Sequence, residues 1–262
     1  MNKDIKAIFI DIDWTILSHK KRPPKWDKRS IRYLTKLQKE GIKIIVNTAR
    51  PYISYLDIGL NKLIKPDGLI LSSGSLAIID DIVIHEERMR SEDFETLSMI
   101  ALKYDGNLEG IRTYDSFLIR KMNDPVKYVF MAYPSRIPNV EGIHRKKVNK
   151  ATLYFKKELY EDIIKEIPKH LHIFRFHDNA LDISPRSINK GMTLKRVVEY
   201  LHLNKDQCIA IGDEISDTYM FNEVTYSIAM GNASEEVKEK AKIITRDVNH
   251  HGVKFALKYL IK

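Results

Sequence analysis

The chain has 262 residues, 44% of them apolar and 30% charged, with a formal net charge of +9, which argues for globular structure as one large domain or two modest ones. Its single cysteine, Cys208, lies inside an apolar run; it excludes a disulfide framework or a cysteine-based zinc site and fits a buried thiol in a reducing, cytoplasmic setting. The basic residues are spread out, and the runs Lys20-Lys21-Arg22 and Arg145-Lys146-Lys147 lack interleaved aromatics, which argues against a nucleic-acid partner.

Neither a signal peptide nor a membrane span is expected at the N-terminus, where Lys3, Asp4 and Lys6 precede only a short apolar run. That run, Ala7-Ile8-Phe9-Ile10, reads as a buried strand and stops at two carboxylates, Asp11 and Asp13. An unpaired buried charge is costly, so the pair suggests a cation or polar substrate; on this stretch alone, two solvated aspartates remain the alternative. Asp27 is placed to cap a helix over Lys28 to Leu37, with Ile31, Leu34 and Leu37 on one face and Gly41 to end it. A second buried-type strand from Ile42 runs into Asn47-Thr48-Ala49-Arg50. A helix from about Ile53 leads to Pro66-Asp67-Gly68 and a third strand, Leu69 to Gly74. The order β-α-β makes such strands parallel. Two short β segments, Leu76 to Ile79 and Ile82 to His85, flank Asp80-Asp81 as a hairpin.

From Ser91 to Leu102 the pattern is helical; short alternating segments follow near Ile111 to Tyr114 and Phe117 to Arg120. A strand is expected at Ala151 to Phe155, a helix at Glu158 to Ile167 and a strand at Leu171 to Phe176. Short strands grouped with two helices point to a separate α+β unit. His170, His172 and His177 read as its exposed side, and Arg112, Tyr114, Arg120 and His144 are candidates for a substrate-facing surface.

The chain is expected to re-enter the first unit near Leu181, with an amphipathic helix through Met192, Leu194, Val197, Val198 and Leu201 straight after Lys190-Gly191. A strand from Gln207 then ends in Gly212-Asp213, with Ser216 and Asp217 following. A short helix is expected near Tyr219 to Phe221, and last strands at Tyr226 to Met230 and Lys242 to Thr245, with Ser234 as cap of the helix between them. His250-His251 has the wrong spacing for a helix-face metal pair and reads as a surface turn.

In an open parallel sheet, ligands bind beyond the carboxyl ends of the strands, so Asp11, Asp13, Thr48, Asp213 and Asp217 are candidates to converge on one crevice. With Lys190, these residues resemble the four motifs of the haloacid dehalogenase-like hydrolase superfamily. D-x-D-x-T-[IL] is matched by Asp11, Asp13, Thr15 and Ile16, the strand-ending hydroxyl by Thr48, the lysine by Lys190, and G-D-x-x-x-D by Gly212, Asp213 and Asp217. Leu181-Asp182-Ile183-Ser184-Pro185 and Ala229-Met230-Gly231-Asn232-Ala233 resemble the Cof-type branch. The likeness covers roughly 1–85 and 180–262.

That resemblance implies an α/β fold, a Rossmann-like parallel-sheet core (1–85 and 181–262) with an inserted α+β cap (86–180) that sets substrate specificity. It implies a Mg²⁺-dependent phosphatase of small phosphorylated metabolites, sugar phosphates foremost. Asp11 would be the nucleophile of an aspartyl-phosphate, Asp13 the acid and base, and Thr48, Ala49, Arg50 and Lys190 the phosphate binders. Mg²⁺ would be held by Asp11, Asp213 and the backbone carbonyl of Asp13, with Ser216 and Asp217 behind them. Two residues depart from the family pattern: Trp14 stands where glycine is usual, and Ser216 where the Cof-type pattern has asparagine. A phosphomutase, or a phosphate-ligand-binding regulator with weakened catalysis, are the alternatives.

Overall fold

The structure, a computed structural model, describes residues 4–133, 135–143 and 147–261. His144, Arg145 and Lys146 therefore lie outside the described residues. The chain divides into two compact units: Met1–Ala49, Leu60–His85 and Asn189–Lys262 form the first, Arg50–Gly59 and Glu86–Ile188 the second.

The first unit is built on an eight-stranded sheet in the order Ile243–Ile244, Tyr226–Ala229, Cys208–Gly212, Ala7–Ile10, Lys43–Asn47, Gly68–Leu71, Leu76–Ile79, Ile82–Glu86. The first six run parallel; Leu76–Ile79 turns back antiparallel on Gly68–Leu71. Asp80 (φ 48°) and Asp81 (φ 65°) make the hairpin turn, both in the left-handed region that a twisted two-residue connection demands. The central strand buries both faces, as a parallel sheet covered by helices requires: Ala7, Ile8, Phe9 and Ile10 are all wholly buried. Ala7 and Phe9 pack with Leu194, Val197 and Val198 of helix Lys190–Tyr200 and with Met220, Phe221 and Val237.

Helix Lys28–Lys39 forms as its sequence predicts: the Asp27 carboxylate accepts from Arg29 N and Ser30 N, and Ile31, Leu34 and Leu37 are buried. Gly41, at φ 91°, turns the chain into the next strand. A C-terminal helix, Gly252–Leu260, packs against Lys28–Lys39, with Lys254 N donating to Ser30 Oγ (3.1 Å). Ser234 takes the cap position of helix Glu235–Lys240, but its hydroxyl makes no capping bond. His250 and His251 form a turn, as read; each meets an aspartate, Asp247 (2.6 Å) and Asp27 (2.7 Å).

The second unit carries a six-stranded sheet ordered Asn139–Val140, Ser116–Leu118, Asn107–Ile111, Lys150–Tyr154, Ala180–Pro185, Leu171–His177, antiparallel except for its first pair. One face packs on Phe94, Leu97, Ile100 and Ala101 of helix Ser91–Lys103 and on Ile163 of helix Tyr160–Glu166. Helix Asp124–Ala132 places Val126 and Val129 against Leu118, Tyr154 and Ala180 on the other. The mixed α/β class holds, but the boundaries differ from those read in the sequence. Residues 181–185, expected to open the returning core, are instead a strand paired on both sides in this second sheet. The unit continues to Ile188, and Arg50–Gly59 groups with it.

Candidate active site

Chain connections run one way from Ala7–Ile10 through Lys43–Asn47 and Gly68–Leu71, and the other way from Cys208–Gly212 through Tyr226–Ala229. The carboxyl ends of Ala7–Ile10 and Cys208–Gly212 thus flank the switch point of the sheet, where crevices form. Asp11 follows one strand and Asp213 the other. Asp11 N extends the pairing by donating to Ile211 O (3.0 Å), which fixes where its side chain emerges.

Lys190 stands between the carboxylates. Its Nζ donates to Asp11 Oδ1 (2.8 Å) and Asp217 Oδ1 (2.7 Å), and all three side chains are buried. The lysine opens helix Lys190–Tyr200, whose cap Asn189 accepts from Gly191 N and Met192 N. Asn47 Nδ2 donates to Lys190 O (3.1 Å), tying that helix start to the end of the neighbouring strand. Gly191 lets it dock closely: a Cβ there would lie 2.3 Å from Tyr219 O. Gly212 has a similar role, since its Cβ would meet the Asp217 carboxyl carbon at 2.3 Å. Asp217 fills that space, and its Oδ2 accepts from Asp213 N (2.9 Å) and Glu214 N (3.0 Å), closing the loop.

Burial pushes the Asp11 carboxyl well above the usual carboxylate range; Lys190 opposes this, while Asp217 and Asp13 add to it. For Asp213, burial together with the charges of Asp11 and Asp217 pushes the carboxyl up to about 9, against the hydrogen bond from Thr15 Oγ1 (2.9 Å). Burial disfavours the Lys190 ammonium, but Asp11 and Asp217 outweigh it and hold its pKa above the ordinary value. A cluster so rich in carboxylates asks for more positive charge than one lysine supplies.

A divalent cation fits that demand. Asp11, Asp213 and Asp217 can each offer an oxygen, with the three atoms within 4.8 Å of one another, a hard all-oxygen donor set. Asp13 is not in this trio. Asp217, expected behind the ligands, comes close enough to join them, although its oxygens already serve Lys190 and two backbone amides.

A model of the haloacid dehalogenase-like hydrolases matches residues 8–257. The chain belongs to this family. Phosphatase YwpJ of Bacillus subtilis is 23% identical over 98% of this chain and 100% of its own. The solved structures of similar fold include a protein of Geobacillus kaustophilus HTA426, with TM-score 0.88 and 24% identity over 98% of each chain. BT1666 of Bacteroides thetaiotaomicron, described among phosphatases of the superfamily, is 26% identical, with TM-score 0.82 over 98% of this chain and 95% of its own. The HAD subclass IIB sugar phosphatase BT4131 is 22% identical, with TM-score 0.82 over 97% and 98%. The protein is accordingly a haloacid dehalogenase-like phosphatase whose fold is shared by BT1666 and BT4131.

The other expected site residues of this hydrolase are placed as follows. Thr48, buried, ends the strand beside Asp11; its backbone N donates to Ile70 O (2.9 Å) and its carbonyl accepts from Ser73 N (3.2 Å). Ala49 is the last residue of the first unit at this crossing, and Arg50 begins the second, where its Nη1 donates to Ser54 Oγ (2.8 Å). Asp13 Oδ1 lies 2.6 Å from His19 Nε2. Ser216 Oγ donates to its neighbour Glu214 Oε2, at 3.5 Å. The amide near Asp213 comes instead from Asn232, whose Nδ2 lies 3.0 Å from Trp14 O and 3.4 Å from Asp213 Oδ2, while its Oδ1 accepts from Val248 N (3.0 Å). Asn232 sits in the Met230-Gly231-Asn232 run that carried part of the resemblance, which was the signal available for it. Trp14 has φ 57°, a left-handed conformation; this is the physical reason a glycine suits that position.

In the second unit, Arg112 is committed to Asp115 and Glu141, and Arg120 to Asp105. The sequence did not single out Lys150, Thr152 and Glu109, and gave Asp182 only as part of the Leu181–Pro185 run; the four share one face of the sheet by register and alternation. Asp182 accepts from Lys150 Nζ (2.5 Å) and Thr152 Oγ1 (2.7 Å), and Glu109 from Tyr154 Oη (2.5 Å).

Proposed function

We propose that this phosphatase hydrolyses small phosphorylated metabolites, sugar phosphates foremost, in the cytoplasm, with Mg²⁺ and through a phosphoryl group carried on Asp11. The observation that carries the reading is the buried Asp11 carboxylate held by Lys190 at the strand end, beside Asp213 and Asp217. A carboxylate so fixed is a nucleophile in place, and the lysine offers positive charge for the phosphoryl oxygens.

An Asp11 oxygen forms the new bond to phosphorus while the bond from phosphorus to the ester oxygen breaks. Asp13 delivers its proton to that leaving oxygen, and later takes one from the water that attacks the phospho-aspartate, releasing inorganic phosphate. Lys190 and Thr48 hold the non-bridging oxygens, with Ala49 and Arg50 as further phosphate contacts. Asp11, Asp213 and the Asp13 carbonyl would hold Mg²⁺, with Asp217 fixing the loop behind them, and the bound ion would supply charge neutralisation on the phosphate. The second unit is the specificity domain.

The test is a phosphate-release screen over sugar phosphates, nucleotides and cofactor phosphates, with Mg²⁺ and with EDTA. Mg²⁺-dependent release, greatest from sugar phosphates and absent in Asp11→Asn, is expected. Full activity in EDTA, or in the Asn variant, would overturn the metal or the nucleophile.

A further inference from the structure

Trp14 follows Asp13 directly, and the fold does not use its ring as a core residue. Ile12, Thr15, Ile16 and Leu17 around it are buried, whereas Trp14 is 40% exposed. Its φ of 57° lies in the left-handed region, which a residue with a Cβ enters at a cost. The loop is held without the indole: Trp14 N donates to Leu17 O (2.8 Å), Ile16 N and Leu17 N donate to Ile12 O (2.9 Å each), and Thr15 Oγ1 donates to Asp213 Oδ1 (2.9 Å). A large apolar ring kept in water on a disfavoured backbone, where the fold gains little from it, marks a position held for a contact outside folding.

Two contacts place Trp14 beside the carboxylates. Asn232 Nδ2 lies 3.0 Å from Trp14 O and 3.4 Å from Asp213 Oδ2, so one amide spans from Trp14 to the cluster. The indole centroid is 5.5 Å from that of His19, whose Nε2 lies 2.6 Å from Asp13 Oδ1, so the exposed ring stands on the Asp13 side of its loop. We propose that Trp14 is a specificity-determining residue, its indole taking one face of a sugar ring in the leaving group. The inference rests on the phosphatase reading: Asp13 meets the ester oxygen, so the carbon skeleton on that oxygen leaves the site past the residue next to Asp13. A sugar ring suits such a neighbour, because its C–H faces are apolar and match the flat indole, while its hydroxyls project from the edge toward polar side chains. An acyclic ester with the same kind of leaving oxygen offers no face to cover.

The variants are Trp14→Gly, which removes the ring and suits the backbone, and Trp14→Phe, which keeps a flat ring; should the glycine variant not fold, Trp14→Asn takes its place, since asparagine also tolerates the left-handed region. Phosphate release with Mg²⁺ is measured for glucose, mannose and galactose 6-phosphates, for glycerol 3-phosphate and for benzyl phosphate, all esters of primary alcohols. For Trp14→Gly we expect kcat/KM on the best hexose phosphate to fall at least about fivefold, mostly through KM, glycerol 3-phosphate to stay within about twofold, and Trp14→Phe to keep most of the wild-type preference. A parallel fall on hexose and glycerol phosphates, an unchanged hexose phosphate, a loss confined to benzyl phosphate, or a wild type that prefers glycerol 3-phosphate to every hexose phosphate overturns the proposal. If wild type hydrolyses hexose phosphates, Asp11→Asn does not, and Trp14→Gly shows no selectivity, the phosphatase reading stands and the role of Trp14 falls. Wild-type protein that releases phosphate from none of the esters overturns both.

Discussion

Replacing Asp213 by Asn tests the electrostatics of the site in the metal-free protein without any substrate. In the folded chain the Asp213 carboxyl is raised to about 9, while an unfolded aspartate titrates near 3.8. Between those values the folded state holds a proton that the unfolded state has released. Stability is therefore fully present below the unfolded value and falls as pH climbs toward about 9, by at most about 1.4 kcal/mol per pH unit for one such group. From pH 6 to pH 8 the limit is about 2.7 kcal/mol, and because Asp11 and Asp217 share the repulsion a loss of about 1–2 kcal/mol is the realistic expectation. An amide cannot ionise, and its oxygen can still accept from Thr15 Oγ1. In EDTA, urea unfolding followed by circular dichroism should show wild type losing that stability over the interval and Asp213→Asn losing about half as much or less. Saturating Mg²⁺ should flatten the wild-type curve, since a bound cation keeps the carboxylate ionised in the folded state. A wild-type curve flat in EDTA, or a variant with the wild-type slope, would show that the carboxylates are not in the environment described here.

Lys190→Met leaves Asp11 and Asp217 buried without their cation and should cost about 3–5 kcal/mol in the same assay; a loss under about 1 kcal/mol would contradict the pairing. Gly191→Ala should cost about 1–3 kcal/mol, because its Cβ must displace the Tyr219 carbonyl, and no loss would mean that the close docking is not required. Trp14→Gly relieves a left-handed tryptophan but gives up the ring contact with His19, so the unfolding free energy from urea curves should change by no more than about 1 kcal/mol. A loss above about 2 kcal/mol would show that the indole, not the backbone, holds that loop.

The core strands were legible because a parallel strand covered on both faces writes itself as an unbroken apolar run, and Ala7 to Ile10, Ile44 to Val46 and Cys208 to Ile211 all do so. Asp27 was readable as a cap for the same kind of local reason. Membership of a sheet is not local: Ala180 to Pro185 reads as an approach to the core, and only its pairing with Lys150–Tyr154 assigns it to the second unit. Helix Gly252–Leu260 left a usable trace, Val253, Ala256, Leu257 and Leu260 at helical spacing, which the reading passed over. Helix Asp124–Ala132 was also missed, with Pro125 at its start obscuring a short pattern. The motif carboxylates were visible as types and spacings, but not their partners. Nothing in sequence tells that Asn232 rather than Ser216 approaches Asp213, that Asp13 meets His19, or that Trp14 takes a positive φ.

The central strand Ala7–Ile10 is synthesised some 200 residues before the Cys208–Gly212 strand that pairs beside it. At typical elongation rates that is a wait of about 10–40 s, during which the strand has one edge without its final neighbour. The stretch Glu86–Ile188, by contrast, supplies all six strands of its own sheet and can form most of its contacts before the core is complete. Ion pairs such as Lys190 with Asp11, 179 residues apart, form only after both have been synthesised, so the carboxylate cluster is assembled late relative to the second unit's own sheet.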